Sequence, residues 1–143
     1  MKVSISRILV VCVVLVLGAP VMAQSATGGP GSGPCSNHKL FGDYGAHIEG
    51  TILGPNLPLR TVTMIHFDGA GSLTSVDHVV LNGVPPAQEW RPNSGTYTVN
   101  PDCTGSAVFN GPIVVHFVVV KSGKEFHGVV DGSATTIAGY RVD

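Results

Sequence analysis

Residues 95–121 read GTYTVNPDCTGSAVFNGPIVVHFVVVK. Three short apolar runs lie here: Gly95 to Val99, Cys103 to Phe109 and Ile113 to Lys121. Asn100-Pro101-Asp102 and Asn110-Gly111-Pro112 separate them. Short runs rich in Val, Thr, Tyr and Phe, cut by Asn, Gly, Pro and Asp, are the pattern of antiparallel strands joined by tight turns. The apolar residues lack the three-to-four spacing that an amphipathic helix requires.

The same rhythm extends in both directions. Downstream, Ser122-Gly123 and Gly132-Ser133 bound runs from Lys124 to Asp131 and from Thr135 to Val142. Upstream, Gly42 to Leu53, Leu59 to Phe67 and Ser72 to Leu81 are divided by Gly54-Pro55-Asn56 and by Asp68-Gly69-Ala70-Gly71. The longest loop, Asn82 to Ser94, holds Pro85, Pro86 and Pro92. Eight strands with short connections predict an all-β fold, an eight-stranded antiparallel up-and-down barrel. A β-sandwich is the alternative. Closure of the barrel would remove edge strands that otherwise invite aggregation. In the first strand, Tyr44, Ala46, Ile48 and Ile52 alternate with His47, Glu49 and Thr51, so the former are expected to share one face. The sixth strand is apolar on both faces. Its outer face is therefore expected to be covered by the N-terminal tether or by another subunit, a homo-oligomer through residues 113–120.

The N-terminus reads differently. Lys2 and Arg7 precede an unbroken apolar run from Ile8 to Leu17, and Val21-Met22-Ala23 supplies a small-residue cleavage pattern. Residues 1–23 are expected to be a signal peptide, residues 24–34 a flexible Gly/Ser/Pro linker, and residues 35–143 the β-barrel domain. The protein is expected to be exported, to the periplasm or outside the cell. With Lys2 and Arg7 removed, six cationic side chains face nine carboxylates, a net charge of −3. So mild and scattered a charge predicts no nucleic-acid partner. Strands four and five look too short for a transmembrane barrel, and aromatics form only 6% of the chain, too few for interfacial girdles. Cys12 would leave with the signal. In an exported chain the remaining Cys35 and Cys103 are expected to form a disulfide, with two free thiols as the alternative.

Three further stretches carry a resemblance. Phe67-Asp68-Gly69-Ala70-Gly71-Ser72-Leu73-Thr74, the run Gly95 to Gly105, and Gly123-Lys124-Glu125-Phe126 are flanked by an opening Leu40-Phe41-Gly42-Asp43-Tyr44 and a closing Gly139-Tyr140-Arg141. Together, over about residues 40 to 142, they resemble small exported bacterial proteins of the allene-oxide-cyclase-like, or calycin-like, barrel type. The resemblance implies an eight-stranded barrel with an apolar cavity. Its plant members close a ring in an unstable fatty-acid epoxide, and bacterial relatives include cyclases acting on polyketides. It transfers no active-site residue to this sequence, and fold likeness alone does not fix chemistry.

The candidate site follows from the barrel. A closed meander with few charges is expected to bind a small apolar ligand inside. A cofactor-free cyclase or isomerase, and a structural or interaction module with a filled core, are the alternatives. Ligand-contact candidates are Trp90, the single Trp and a candidate lid in the longest loop; Tyr44 and Tyr97, heading well-patterned strands; Glu49; and Phe117. Glu49, Asp77 and Glu125 lie within strand runs, and whichever points inward could act as an acid or base. Of the six histidines, His47, His66, His78 and His116 are weak metal candidates. They lack metal-ligand spacing, and no site is expected. No dinucleotide loop, EF-hand or nucleophile elbow exists, and no cofactor is expected.

Overall fold

A computed structural model describes residues 34–143. The strands are β1 (Phe41–Ile52), β2 (Leu57–Asp68), β3 (Ser72–Leu81), β4 (Arg91–Val99), β5 (Thr104–Phe109), β6 (Ile113–Val120), β7 (Glu125–Val130) and β8 (Ala134–Arg141). Each pairs antiparallel with the next, and β1 pairs with β8, closing the barrel. The sandwich alternative is thereby excluded, because two stacked sheets would leave β1 and β8 unpaired. The residues read as a signal peptide, and residues 24–33 of the linker, lie outside the described residues.

Two strands run longer than the sequence predicts. β2 starts at Leu57 rather than Leu59, and β4 at Arg91 rather than Gly95. The extensions contain Pro58 and Pro92, which the sequence reading leaves in loops. Both occupy ladder edges. Pro58 pairs with Thr51 of β1, whereas β3 joins β2 only from Leu59. Pro92 pairs with Val76, whereas β5 joins β4 only from Gly95. Proline is tolerated at such half-paired positions and rare in fully paired ones.

Alternation sorts the side chains. Tyr44, Ile65, Phe67, Leu73, Tyr97, Val115, Phe117, Phe126 and Ile137 are buried. All five strand histidines fall on the outer wall. His66 lies 2.7 Å from Asp43, His116 3.2 Å from Asp131 and His127 2.6 Å from Glu125. The outer face of β6 carries His116 and Val118, with Val108 of β5 and Val129 of β7 also exposed.

One end of the barrel is stoppered. The chain enters through a short 3-10 turn, Asn37–Lys39, and Leu40 is fully buried. The Tyr97 hydroxyl donates to the carbonyls of Leu40, at 2.9 Å, and Asn37, at 3.2 Å. The Val99 N–H donates to Asn37 Oδ1 at 2.8 Å, and the Tyr44 hydroxyl donates to the Gly123 carbonyl. Gly123 has φ +90°, and a Cβ there would lie 2.0 Å from the Lys39 carbonyl oxygen, so only glycine fits. The Cys35–Cys103 disulfide ties this stopper to the β4–β5 turn, with the Cα atoms 5.0 Å apart. Beneath it, Phe67 packs against Tyr97, Tyr44 and Phe126 with ring centroids 4.9, 5.2 and 5.8 Å apart. Such edge-on aromatic pairs are favourable and fill the space.

Candidate functional site

Among the described residues no second plug like residues 35–40 sits at the opposite end. There, between the ends of the strands, the interior opens into a cup with about 60 Å³ accessible to the centre of a water molecule. Ile65, Val115 and Ile137, all nearly fully buried, belong to its lining together with Ile48, Phe109, Ile113 and Val130. The remaining lining is polar: Thr63, Ser75, Asp77 and Asn93.

These polar residues are neighbours by register. Thr63 of β2 lies directly opposite Asp77 of β3, and Ser75 of β3 opposite Asn93 of β4. Directly opposed residues on one face have Cβ atoms roughly 5 Å apart. The cup is therefore two-sided. Its polar side chains come from β2, β3 and β4, and its apolar ones from β1, β5, β6, β7 and β8 together with Ile65 of β2. Asp77 also pairs in register with Arg91, whose Nε donates to Asp77 Oδ1 at 2.9 Å. The Asp77 side chain is only 18% exposed, that of Arg91 46%. The carboxylate thus lines the cup while the guanidinium sits at its rim.

The candidate residues distribute unevenly. Tyr44, Tyr97 and Phe117 point inward but pack in the closed half, below the stopper. Burial pushes the Tyr97 hydroxyl up to about 12 and raises that of Tyr44, because the ionised phenolate would lose its water. Glu49 faces outward and lies 3.7 Å from Arg60. Glu125 is also on the outward face, yet largely covered. Lys121 Nζ lies 2.5 Å from its carboxylate and holds it below the usual carboxylate range, with His127 adding to the effect. Trp90 does not lid the cup. It is half-exposed, meets His78 edge-on at 5.8 Å, and borders a shallow hollow of the outer wall beside His47, Val62 and Met64. The hydrogen bond from His78 Nδ1 to the Glu89 carbonyl, at 2.7 Å, draws this loop against the outer wall.

His47, His66, His78 and His116 do not converge. Among the described residues no group of three metal-ligating side chains could hold an ion. Larger hollows, such as one of about 530 Å³ bordered by Ser106, His116, Val118, His127 and Val129, are open depressions of the outer wall. Of the cup's polar residues, only Asp77 is singled out from sequence. Thr63, Ser75 and Asn93 escape notice because hydroxyls and amides are ordinary in strands. The signal was present in β3, where Leu73, Ser75, Asp77 and Val79 share one face and polarity enters halfway along it.

No protein-family model matches the chain, and neither a curated protein nor a solved structure matches it.

Proposed function

We propose that this protein is an exported binding barrel that takes one small, mostly apolar molecule into the open cup. The observation that carries the reading is the division of the inner surface. One half is filled and latched, whereas the other ends in a concave site with an apolar side and a few convergent polar groups, the usual make-up of a ligand site. The space limits the ligand. Sites for drug-sized molecules run to roughly 300 Å³ or more, so only a small group enters this cup, and a larger molecule would project from the mouth. A cyclase would have to fold a long substrate inside, and a cup of about 60 Å³ supports that reading less. Export is supported by the N-terminal charged-then-apolar pattern and by the Cys35–Cys103 bond. Among the described residues no helix is long and apolar enough to cross a membrane.

The test is an amide-resolved NMR screen of the disulfide-bonded domain against small alcohols, amines, ketones and short-chain lipids. Binding should shift residues of the cup, such as Ser75, Asp77, Asn93 and Ile113, and leave the stopper unmoved. If no compound shifts the cup, the reading fails.

One observation favours a second reading, an interaction module assembling through the outer face of β6. Val108, Val118 and Val129 are each more than 40% exposed there, and apolar side chains clustered on a surface commonly mark a contact. The filled closed half fits this reading equally well.

A further inference from the structure

We propose that the ligand of the cup is an amphiphile whose polar end donates a hydrogen bond to Asp77, as a hydroxyl or a protonated amine does. This rests on the reading of the cup as the binding site. A carboxylate accepts at about four positions and cannot donate. Arg91 Nε takes one of these at Oδ1, and acceptor capacity remains on the side that lines the cup. Arg91 is the more exposed partner and is not part of the lining. What a ligand meets on this wall is therefore an acceptor backed by a cation, not the cation itself. Thr63 and Ser75, both largely buried, add hydroxyls beside Asp77 and opposite Asn93 respectively. Across the cup, Ile137 and Val130 offer no polar atom, so the ligand's other end must be apolar. A carboxylate-headed ligand would set its charge against Asp77, which disfavours it.

The probes are four short-chain compounds of similar reach: n-butylamine at neutral pH, 1-butanol, butyl methyl ether and sodium pentanoate. Each is titrated into the disulfide-bonded domain and followed by the amide signals of Ser75, Asp77 and Asn93. The amine and the alcohol should bind about tenfold more tightly than the ether, the scale of one hydrogen bond to a charged group. Pentanoate should bind weakest. Asp77→Asn should abolish the preference for the amine while leaving the ether unchanged. The order of the four probes on the native protein decides the matter even if that variant folds poorly. Equal binding of alcohol and ether, or tightest binding of pentanoate, would overturn the role of Asp77 and leave the cup standing as a site. Silence of the cup toward all four probes would overturn the site together with the inference.

Discussion

Tyr97 shows how a single side chain closes the barrel. Its ring packs edge-on against Phe67, and its hydroxyl proton is shared between two carbonyls of the entering chain. Tyr97→Phe keeps the ring but strands the buried Leu40 carbonyl, whereas the Asn37 carbonyl still accepts from the Leu40 N–H; it should cost about 1–2 kcal/mol at neutral pH, read by urea unfolding. The pH dependence has a definite sign. In the unfolded chain this phenol loses its proton near the ordinary tyrosine value of 10.0, whereas in the folded barrel it keeps it to about 12. The unfolded state then binds fewer protons, and stability falls as the pH climbs through that window. The gap between native protein and Tyr97→Phe should narrow between pH 10 and 12; a constant gap would show that the phenol is not held protonated by burial. Gly139 makes a second single-residue test. A Cβ there would lie 2.2 Å from the Phe126 ring, and Gly139→Ala should cost about 1–3 kcal/mol by overpacking. Neither effect is legible in sequence, where Tyr97 is one aromatic of an alternating strand and Gly139 one small residue among many.

The strands themselves are legible, because a period of two leaves its mark wherever one face is wet. β1 reads correctly residue by residue, with Tyr44, Ala46 and Ile48 inward and His47 and Glu49 outward. What hides is pairing across the longest connection. The register that sets Asp77 against Arg91, and Pro92 against Val76, follows from how the 82–90 segment folds onto the outer wall through His78, Glu89 and Trp90. No local pattern encodes that. The β4–β5 turn, by contrast, is marked by its cysteine, although the role of residues 35–40 as a stopper is not. The Cys35–Cys103 bond spans a sequence separation of 68 residues, and the chain-entropy model assigns such a closure about 4 kcal/mol. Reduction should therefore lower the melting temperature by roughly 10 °C or more in a domain of this size. An unchanged melting temperature in dithiothreitol would mean that the aromatic packing holds the stopper without the bond. The exposed outer face of β6 makes a separate prediction. If copies associate through it, Val118→Lys should convert a dimer to a monomer by light scattering without altering the β-sheet circular dichroism; a native protein already monomeric at high concentration would dismiss that interface.

For the molecule as a whole, the up-and-down order of eight strands follows from their number and short turns, and closure follows from β8 returning to β1. The asymmetry between the two ends does not. It arises because aromatic rings from five strands meet under the stopper, while Thr63, Ser75, Asp77 and Asn93 leave the other end short of apolar bulk. The binding reading depends on this asymmetry, since an interior filled with side chains at both ends could hold nothing. Dissolved xenon tests it directly, because the atom is apolar, small enough for such a space and known to occupy dry apolar cavities. Under xenon pressure, methyl signals of Ile48, Val115, Val130 and Ile137 should shift in proportion to occupancy, while those of Leu73, Val99 and Val119 in the closed half stay fixed. Shifts concentrated in the closed half, or none anywhere in the interior, would contradict the account.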